Sequence, residues 1–504
     1  MRPSRGHSWV RPWRVAGTIL AGGAALATIS GAFADEGHTH GAGAGTAYGE
    51  LVAWGLLALM GFYGGLFVAR GVLVQRTATG STREVPYASY LAAARGFSRN
   101  ARLFLTYSLL AGLGSGIWLV MFNLYLLRQG FSVGFVGTFW LVNMLCHGLA
   151  ALPAGLIADR FGRRRAFFIA TSISLLAQGS LLFTLNPTTI LVLAGVAGVG
   201  ESFHGVTGAP FMMENSEPRE RPHLFSLNAC FLQVSQFAGS IAGGLLPLAW
   251  ATLLGVPELD PTAARWALVT GLPLTLLALV PLAFMHEKPV ELVESFKDLV
   301  TLRNVVHHGI IARLTLLSLL VGTGFGLTVR FFNVFFEDAH GATDSQVGTI
   351  LALGALASAG SILIAPALAT RWGKAGSILI TQALSVPVLL LLAAVPSLTV
   401  VTVLFLVRGA MASIGLPLRN QLSMEFIAAR ERGTTAGFTH TAFDLGGGLG
   451  AGMAGAVIGA SGFAPAFTLA AVLILAPAML YYVFFAGLER RQRVAVPAAV
   501  SAGD

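Results

Sequence analysis

Charged residues are scarce in this chain. Lysine, arginine, aspartate and glutamate make up only 11% of its 504 residues, whereas soluble proteins carry about 25%. Hydrophobic residues make up 55%, the mean hydropathy is +0.73, and apolar runs of about twenty residues recur along the sequence. This composition excludes a soluble enzyme and a nucleic-acid reader, and it predicts an all-α polytopic membrane protein.

Cysteines and catalytic motifs are lacking as well. The two cysteines, Cys146 and Cys230, both lie in apolar runs, which excludes a disulfide framework. The sequence contains no P-loop, no Ser/His/Asp array and no GxGxxG motif after a strand. Residues for ATP-driven pumping or for enzymatic catalysis are therefore missing, and we expect neither a cofactor nor a nucleic-acid partner.

The chain before residue 103 divides into four segments. Residues 1–34 have the basic stretch, the apolar run and the small-residue pattern of a cleaved signal peptide, and an uncleaved first helix is the alternative. Residues 35–50 then form a periplasmic tail, residues 51–69 form an extra transmembrane helix, and residues 70–102 form a basic cytoplasmic linker.

Twelve further apolar runs predict two six-helix halves. The N-terminal half covers 103–286 and the C-terminal half covers 312–487, with a cytoplasmic linker at 287–311 and a cytoplasmic tail at 488–504. The runs lie at 103–127, 134–157, 166–185, 190–213, 224–251, 265–285, 312–336, 346–370, 376–395, 398–418, 436–461 and 464–487.

Lysine and arginine follow an alternating membrane topology. When the runs are threaded through a bilayer with residues 70–102 inside, 24 of the 32 lysines and arginines fall on the inner segments, and only Arg128 and Arg265 fall outside. Of the other six, two lie within the runs and four lie in residues 1–34. Positive residues collect on the cytoplasmic side of membranes. The sequence therefore predicts a bacterial inner-membrane protein with a cytoplasmic C-terminus.

The two halves repeat each other in sequence. Leu109–Asn123 aligns without gaps on Leu319–Asn333 at an offset of 210 residues, and seven of the fifteen positions are identical. The match resumes at an offset of 211, where 136–138 and 347–349 both read Val-Gly-Thr. Parallel repeats of this kind indicate a transporter with its substrate site between the halves near mid-membrane.

A signature occupies the loop between the second and third runs. It reads Gly155-Leu-Ile-Ala-Asp159-Arg160-Phe-Gly162-Arg163-Arg164. Here the sequence resembles the major facilitator superfamily, whose cytoplasmic loop carries G-x-x-x-D-R-x-G-R-R. The resemblance covers about residues 103–487. It implies the fold of two six-helix halves, a monomer, and a gating role for the six residues that match the specified positions of the pattern: Gly155, Asp159, Arg160, Gly162, Arg163 and Arg164. Gly155 is expected to permit close helix approach.

Two positions depart from the family pattern. Thr370 stands where the second half would carry the acid of the signature, so a charge lock is expected in one half only. The fifth run has Gly239-Ser240 where exporters of the superfamily often carry Gly-Pro. The missing proline weakens the interpretation as a proton-antiport exporter.

Four ionisable residues fall inside the apolar runs: Glu201, Arg330, Arg408 and Asp444. Such a residue costs about 3 kcal/mol on insertion scales and is a functional candidate by default. Two structural ion pairs are one interpretation. The other assigns Arg330 and Arg408 to an anionic or polar substrate, and Glu201 and Asp444 to proton coupling. Arg330 and Asp444 replace uncharged residues of the first repeat, which favours function.

Polar neighbours extend both sets of candidates. His204 and His440 lie three and four residues from the two acids, on the same helix faces, and each is a candidate proton relay. Asn123 and Asn333 close the repeated segments and are candidates for substrate contact. For these four side chains, a hydrogen bond between helices is the structural alternative.

A metal site is a weaker possibility. His38 and His40 form an alternating pair in the predicted tail and are weak candidates for copper or zinc. Met144, Cys146 and His147 add soft donors in one run. The Met-x-x-x-Met and His-x-x-x-Met spacings of copper-importing family members are absent, so no metal site is predicted.

The sequence thus predicts a secondary transporter that moves a small polar or anionic organic solute by alternating access, driven by protons. Drug or metabolite efflux, transition-metal transport, and a non-transporting assembly factor or receptor are the alternatives. The expected partners are a small-molecule substrate and the lipid bilayer.

Overall fold

The computed structural model describes residues 96–217, 220–287, 307–362, 364–427 and 431–501. The predicted signal peptide, periplasmic tail and extra helix lie outside these residues, as do most of the two predicted cytoplasmic linkers. Throughout the described ranges the ordered elements are helices, and strands are absent from them.

Six helices form the N-terminal half. The side chains of Ser98, Ser132, Asn186 and Asp260 cap α1, α2, α4 and α6 by accepting a backbone N–H, as these residue types commonly do. The helices end within four residues of the predicted runs. They are α1 (Arg99–Arg128), α2 (Val133–Phe161), α3 (Arg163–Leu181), α4 (Pro187–Glu214), α5 (Arg221–Leu254) and α6 (Pro261–Phe284).

The C-terminal half repeats this order with one irregular segment. After α7 the chain passes through a 3₁₀ turn at Val329–Phe331, a helical turn at Phe332–Val334 and a π-helical turn at Phe335–Ala339. Irregular turns inside a long helix often mark functional positions. The helices are α7 (His308–Thr328), α8 (Asp344–Ile362 with a second segment Ala365–Trp372), α9 (Lys374–Leu392), α10 (Leu398–Glu425), α11 (Arg432–Ser461) and α12 (Phe463–Ser501).

Within the described residues, eleven helices are long and apolar enough to cross a membrane. The remaining helix, α3, has 19 residues and begins with three arginines, which lower its hydropathy. It packs against α4 and α6 inside the same bundle. The chain is therefore a multi-pass membrane protein.

The helices alternate in direction, so the bundle has two ends. The end that contains Arg163, Glu214 and Lys374 is called the signature end, and the other, with Arg128 and Asp344, is called the Arg128 end. Asp260 lies at the Arg128 end, where its carboxylate accepts a hydrogen bond from the backbone N–H of Thr262 at 2.7 Å. This hydrogen bond holds the pKa of Asp260 below its usual value.

The same ion pair occurs at the signature end of each half. Arg163 Nε lies 2.6 Å from Glu214 Oε1, and Lys374 pairs with Glu425. Both second-half partners follow their first-half counterparts by 211 residues. The glycine before each cation has a positive φ, 96° in the first half and 79° in the second, which glycine adopts without strain. The repeat predicted from the sequence is thus also a structural repeat.

The halves contact each other along α2–α11 and along α5–α8. In both contacts a glycine faces a glycine. A Cβ on Gly137 would lie 2.7 Å from Cα of Gly455, and one on Gly348 would lie 2.8 Å from Cα of Gly244. Gly348 and Gly455 follow Gly137 and Gly244 by 211 residues, so the interface has the two-fold symmetry of the repeat.

An ion-pair cluster joins the halves at the Arg128 end. Arg128 of α1 donates to both carboxylate oxygens of Asp344, at 2.5 and 3.0 Å, and to Glu337 at 2.9 Å. Its side chain is 8% exposed, and that of Asp344 is fully buried. Because the base belongs to the N-terminal half and both acids to the C-terminal half, the cluster links the two halves at this end.

Candidate functional site

A cavity of about 530 Å³ lies among α7 to α12 and reaches the N-terminal half at α1 and α5. Apolar and aromatic side chains form most of its wall, together with glutamine amides. Three arginines, Arg330, Arg408 and Arg419, also line it. Among its described lining residues none is acidic. A volume of roughly 300–1,000 Å³ is typical of sites for small molecules.

Arg408 projects into this cavity from the middle of α10. It is 5% exposed, it donates from one Nη to Thr328 Oγ1 at 3.2 Å, and its guanidinium lies 5.2 Å from the ring centroid of Phe332. Its Nε–H has no hydrogen-bond partner in the described part of the chain, and no described carboxylate lies at ion-pair distance. Arg408 therefore offers an uncompensated charge and a free donor.

Arg330 lines the cavity from the irregular turn after α7. Its guanidinium lies 4.0 Å from the ring centroid of Trp140 in α2, an attractive cation–π arrangement. Its Nη lies 3.9 Å from Sδ of Met144. Glu201 and Asp444 act on it electrostatically. Arg330 therefore connects the cavity to acidic residues, whereas Arg408 does not.

The two predicted asparagines bind each other across the halves. Nδ2 of Asn123 donates to Oδ1 of Asn333 at 3.1 Å and to the carbonyl oxygen of Arg330 at 2.5 Å. Nε1 of Trp140 donates to Oδ1 of Asn123 at 2.8 Å. Asn333 lines the cavity and Asn123 lies behind it. The Asn123–Asn333 pair therefore positions the backbone that carries Arg330.

Asp444 of α11 lies between two histidines. Nδ1 of His147 is 3.0 Å and Nδ1 of His440 is 2.9 Å from its Oδ2. Asp444 is buried, while the His440 side chain is 52% exposed. His147 comes from α2, so this Asp444 cluster bridges the two halves. A carboxylate beside imidazoles is a group that can exchange protons.

The two candidates on α4 have different neighbours. Glu201 lies within electrostatic range of Arg330 and Asp444, which places it beside the Asp444 cluster. Nδ1 of His204 lies 2.5 Å from the hydroxyl of Tyr107 in α1. The structure thus brings together three of the predicted proton-coupling residues, and it places His204 in a hydrogen bond within the N-terminal half.

The arginines of the signature attach α3 to neighbouring helices. Arg164 donates to the backbone carbonyls of Leu282 and Ala283 in α6, at 3.1 and 2.7 Å. Its backbone N–H donates to Glu287 at 3.2 Å. Together with the Arg163–Glu214 pair, these contacts fix the N-terminus of α3 inside the first half.

The preceding signature residues lie in the last turns of α2. Asp159 occupies the final turn, Arg160 is exposed, and Gly162 ends the helix. The close helix approach predicted at Gly155 is absent from this state, because no described atom lies within 4 Å of the place a Cβ would take.

A metal site receives no support within the described residues. They contain no group of three or more His, Cys, Asp and Glu side chains placed to hold an ion. The soft donors Met144 and His147 instead contact Arg330 and Asp444. His38 and His40 lie outside the described residues.

Several site residues escape sequence reasoning. Trp140 carries no special pattern, and His147 is indicated only as a soft metal donor; the contacts of both follow from the packing of α2. Arg419 falls in a stretch predicted to be a cytoplasmic loop. Its spacing of eleven residues from Arg408 places both on one face of a helix, and that signal could have found it.

The fold and the cavity that both halves line, with its three arginines, define a membrane transporter built from two parallel repeats. The family model of the Major Facilitator Superfamily matches residues 103–451 and again 314–501. The chain belongs to the Major Facilitator Superfamily, which confirms the resemblance seen in the signature.

Curated relatives match shorter segments. The multidrug efflux pump Tap of Mycobacterium tuberculosis is 28% identical over 192 residues, which cover 36% of this chain and 44% of that protein. The proton myo-inositol cotransporter of Homo sapiens is 25% identical over 138 residues, which cover 24% of this chain and 21% of that protein. The chain thus spans less than half the length of these relatives.

Solved structures share the fold. The nucleoside transporter NupG superposes with a TM-score of 0.63 at 15% identity, covering 77% of this chain and 99% of that one. The D-xylose-proton symporter superposes with a TM-score of 0.61 at 13% identity, covering 76% and 97%. At these identities the similarity concerns the fold alone.

Proposed function

We propose that this transporter moves a small polar or anionic organic solute by alternating access and couples that movement to protons. The observation that carries the proposal is the cavity of about 530 Å³, which both halves line and whose Arg330 lies within electrostatic range of Asp444 and Glu201. A solute in the cavity and a proton on the cluster would therefore act on the same guanidinium.

The closed Arg128 end supports alternating access. Its ion pairs and glycine contacts join opposite halves, while the signature end has no described contact at Gly155. In the opposite state the Arg128 contacts would separate and the halves would meet around the signature. A ligand that binds one of these states better shifts the equilibrium between them.

Coupling follows from the charges around Arg330. Protonation of Asp444 or Glu201 would remove a negative charge that attracts the guanidinium. Arg330 would then be free to bind a solute in the cavity. His440, whose side chain is half exposed, is the proposed relay between solvent and Asp444, and His204 is a second candidate relay through Tyr107.

Efflux of a drug or metabolite is the second candidate function. Five aromatic residues give the cavity a wide apolar wall that suits flat, hydrophobic molecules. One relative carries the name of a multidrug efflux pump, which supports the same candidate. The aromatic lining consists of Phe325, Phe332, Phe405, Phe443 and Tyr481.

We infer a monomer in a bacterial inner membrane, with the signature end and the C-terminus in the cytoplasm. The distribution of lysine and arginine supports this orientation. Under it, the described state opens toward the cytoplasm.

Transport by purified protein in liposomes tests the proposal. The full chain should accumulate at least one small organic solute when a pH gradient is imposed, and dissipation of the gradient should abolish accumulation. Arg313→Gln, which changes an exposed arginine outside the cavity, should leave transport intact. If neutral, anionic and cationic solutes all fail to accumulate under either direction of gradient, the proposal is wrong.

A further inference from the structure

Among the described residues, the charged side chains that line the cavity are all positive. Three arginines line it, and its described lining residues include no acid. A cation in this cavity would meet three positive side chains and no acidic side chain of the described lining. An anion would supply the charge that the arginines lack, so the wall favours anions over neutral and cationic solutes.

The three arginines are not equivalent. Arg330 is compensated in part by Glu201 and Asp444. Arg419 lies eleven residues after Arg408, which is about 16 Å along the axis of α10, and it is half-buried beside Tyr481 toward the signature end. A compact solute cannot place one anionic group on both. Arg408 is thus the single deep anchor, and Arg419 attracts anions at the entrance.

The geometry around Arg408 suits a carboxylate. The ring of Phe332 covers one face of the guanidinium, and one Nη donates to Thr328. The Nε–H is buried and lacks a described partner, so a carboxylate that reaches it would satisfy this donor. Guanidinium edges bind planar carboxylates through two parallel hydrogen bonds.

An apolar body fits the rest of the wall. Phe332 packs against Phe405 with ring centroids 4.8 Å apart, and Phe325 packs against Phe443 at 5.6 Å. All four line the cavity. These two aromatic pairs lie on the same cavity as Arg408 and give a hydrophobic group a place to bind.

We propose that the substrate is an amphipathic organic monoanion, with its carboxylate on Arg408 and its hydrophobic body against the aromatic pairs, and that Arg408 determines this specificity. The inference rests on the proposed function and narrows its substrate class. A neutral sugar-like solute, a dianion and a hydrophobic cation are the classes it excludes.

Five matched probes test the inference on the purified full chain: 3-phenylpropionate, 3-phenylpropanol, 3-phenylpropylammonium, acetate and phenylsuccinate. Binding is measured as the shift in melting temperature, and transport as uptake into proteoliposomes. Only 3-phenylpropionate should both raise the melting temperature and be taken up. The alcohol and the ammonium lack the negative charge, acetate lacks the hydrophobic body, and phenylsuccinate carries a second anionic group.

Variants locate the anchor. Arg408→Gln should weaken the apparent affinity for 3-phenylpropionate by about 10- to 100-fold, as expected for loss of a hydrogen bond between charged groups. Arg408→Lys should restore part of it, since the charge returns without the fork of donors. Arg313→Gln, outside the cavity, should bind like the wild type. Melting curves without ligand establish that each variant is folded.

Different failures identify different errors. Equal binding of the alcohol or the ammonium overturns the monoanion inference, and uptake of either one leaves the proposed function in place. Binding of 3-phenylpropionate that is unchanged in Arg408→Gln overturns the anchor. If none of the five probes binds, the inference is overturned, whereas the proposed function fails only when solutes of every charge class also fail to accumulate.

Discussion

The two halves share a frame but differ in charge. The pairs Arg163–Glu214 and Lys374–Glu425 occupy equivalent places, and the glycine contacts between halves come as two related pairs. The charged residues near the cavity have no such counterparts. At the repeat offsets of 210 and 211, the first-half residues for Arg330, Asp444, Arg408 and Arg419 are Val120, Gln233, Ala197 and Gly208.

This contrast separates structural from functional residues. The features that occur twice serve helix packing and the backbone contacts between the halves, which both halves need. Charges that occur once, inside the membrane, carry an energetic cost that the fold does not require, because the first half folds without them. The cavity lies mainly in the half that carries these charges.

The largest effect is expected from Asp444→Gln, which removes a charge that only the second half carries. The substitution gives the second half the residue of the first, and it removes the carboxylate that lies 3.0 Å from His147 and 2.9 Å from His440. Proton-driven accumulation should fall roughly 5- to 150-fold, the usual range of a coupling free energy. The measurement compares uptake with and without a pH gradient.

Solute exchange without a gradient supplies the control for this variant. Solute exchange between liposomes and medium, which needs no gradient, should persist in Asp444→Gln. His440→Gln removes only the exposed neighbour and should have a smaller effect. Undiminished gradient-driven uptake by Asp444→Gln would show that this divergence between the halves plays no part in coupling.

The second prediction breaks the contact between halves. Arg128→Gln leaves the buried carboxylate of Asp344 without its base, which costs roughly 3–5 kcal/mol in the described state. The population should shift toward the state that is open at the Arg128 end. Hydrogen exchange of residues 335–348 should become faster, and Arg128→Lys should lie between the variant and the wild type. Unchanged exchange would mean that the ion pairs do not hold this end closed.

The third prediction tests the symmetric part of the interface. Gly137→Ala and Gly348→Ala each introduce a Cβ against a backbone of the other half, and overpacking of this kind costs about 1–3 kcal/mol. The two variants should lower the melting temperature by similar amounts. Gly309→Ala, with open space around its Cβ, should be neutral or stabilising. Clearly unequal losses would contradict the symmetry of the contact.

The smallest effect concerns a cap that only the first half has. Asp260 caps α6, whereas Gly462 precedes α12. Because the folded-state pKa of Asp260 is lowered, its charge stabilises the fold above the ordinary carboxyl pKa of about 3.9 and loses this effect as the pH falls through the lowered value. The melting temperatures of wild type and Asp260→Ala should therefore differ at pH 7, and the difference should shrink as the pH falls below the ordinary carboxyl value. A melting-temperature difference that does not change with pH would mean that the cap stabilises α6 through its geometry and not through its charge.

Much of the fold was predictable from the sequence because it depends on local signals. Apolar run lengths located the helices, and the offset of 210 to 211 residues located the repeat. Ser, Asn and Asp preceded four helices of the first half as caps. These features arise within one segment or from comparison of two segments.

The site was predictable only in part, because it depends on which helices touch. The cost of a buried charge identified Arg330, Arg408, Glu201 and Asp444. It did not separate Arg330 from Arg408, since the difference is the presence of acids on other helices. His147 reaches Asp444 only through the packing of α2 on α11, and that packing leaves no periodic signal in either segment.

The glycine contacts at the Arg128 end also bear on proton leakage across the membrane. Where two backbones touch without side chains between them, there is no room for a file of water molecules along which protons could hop. A coupled transporter in a charged membrane loses its driving force through any such file. At Gly137–Gly455 and Gly244–Gly348 the two backbones lie too close for water between them. We therefore expect a larger residue at one of these positions to speed the acidification of sealed vesicles under an inward proton gradient, in the absence of any solute.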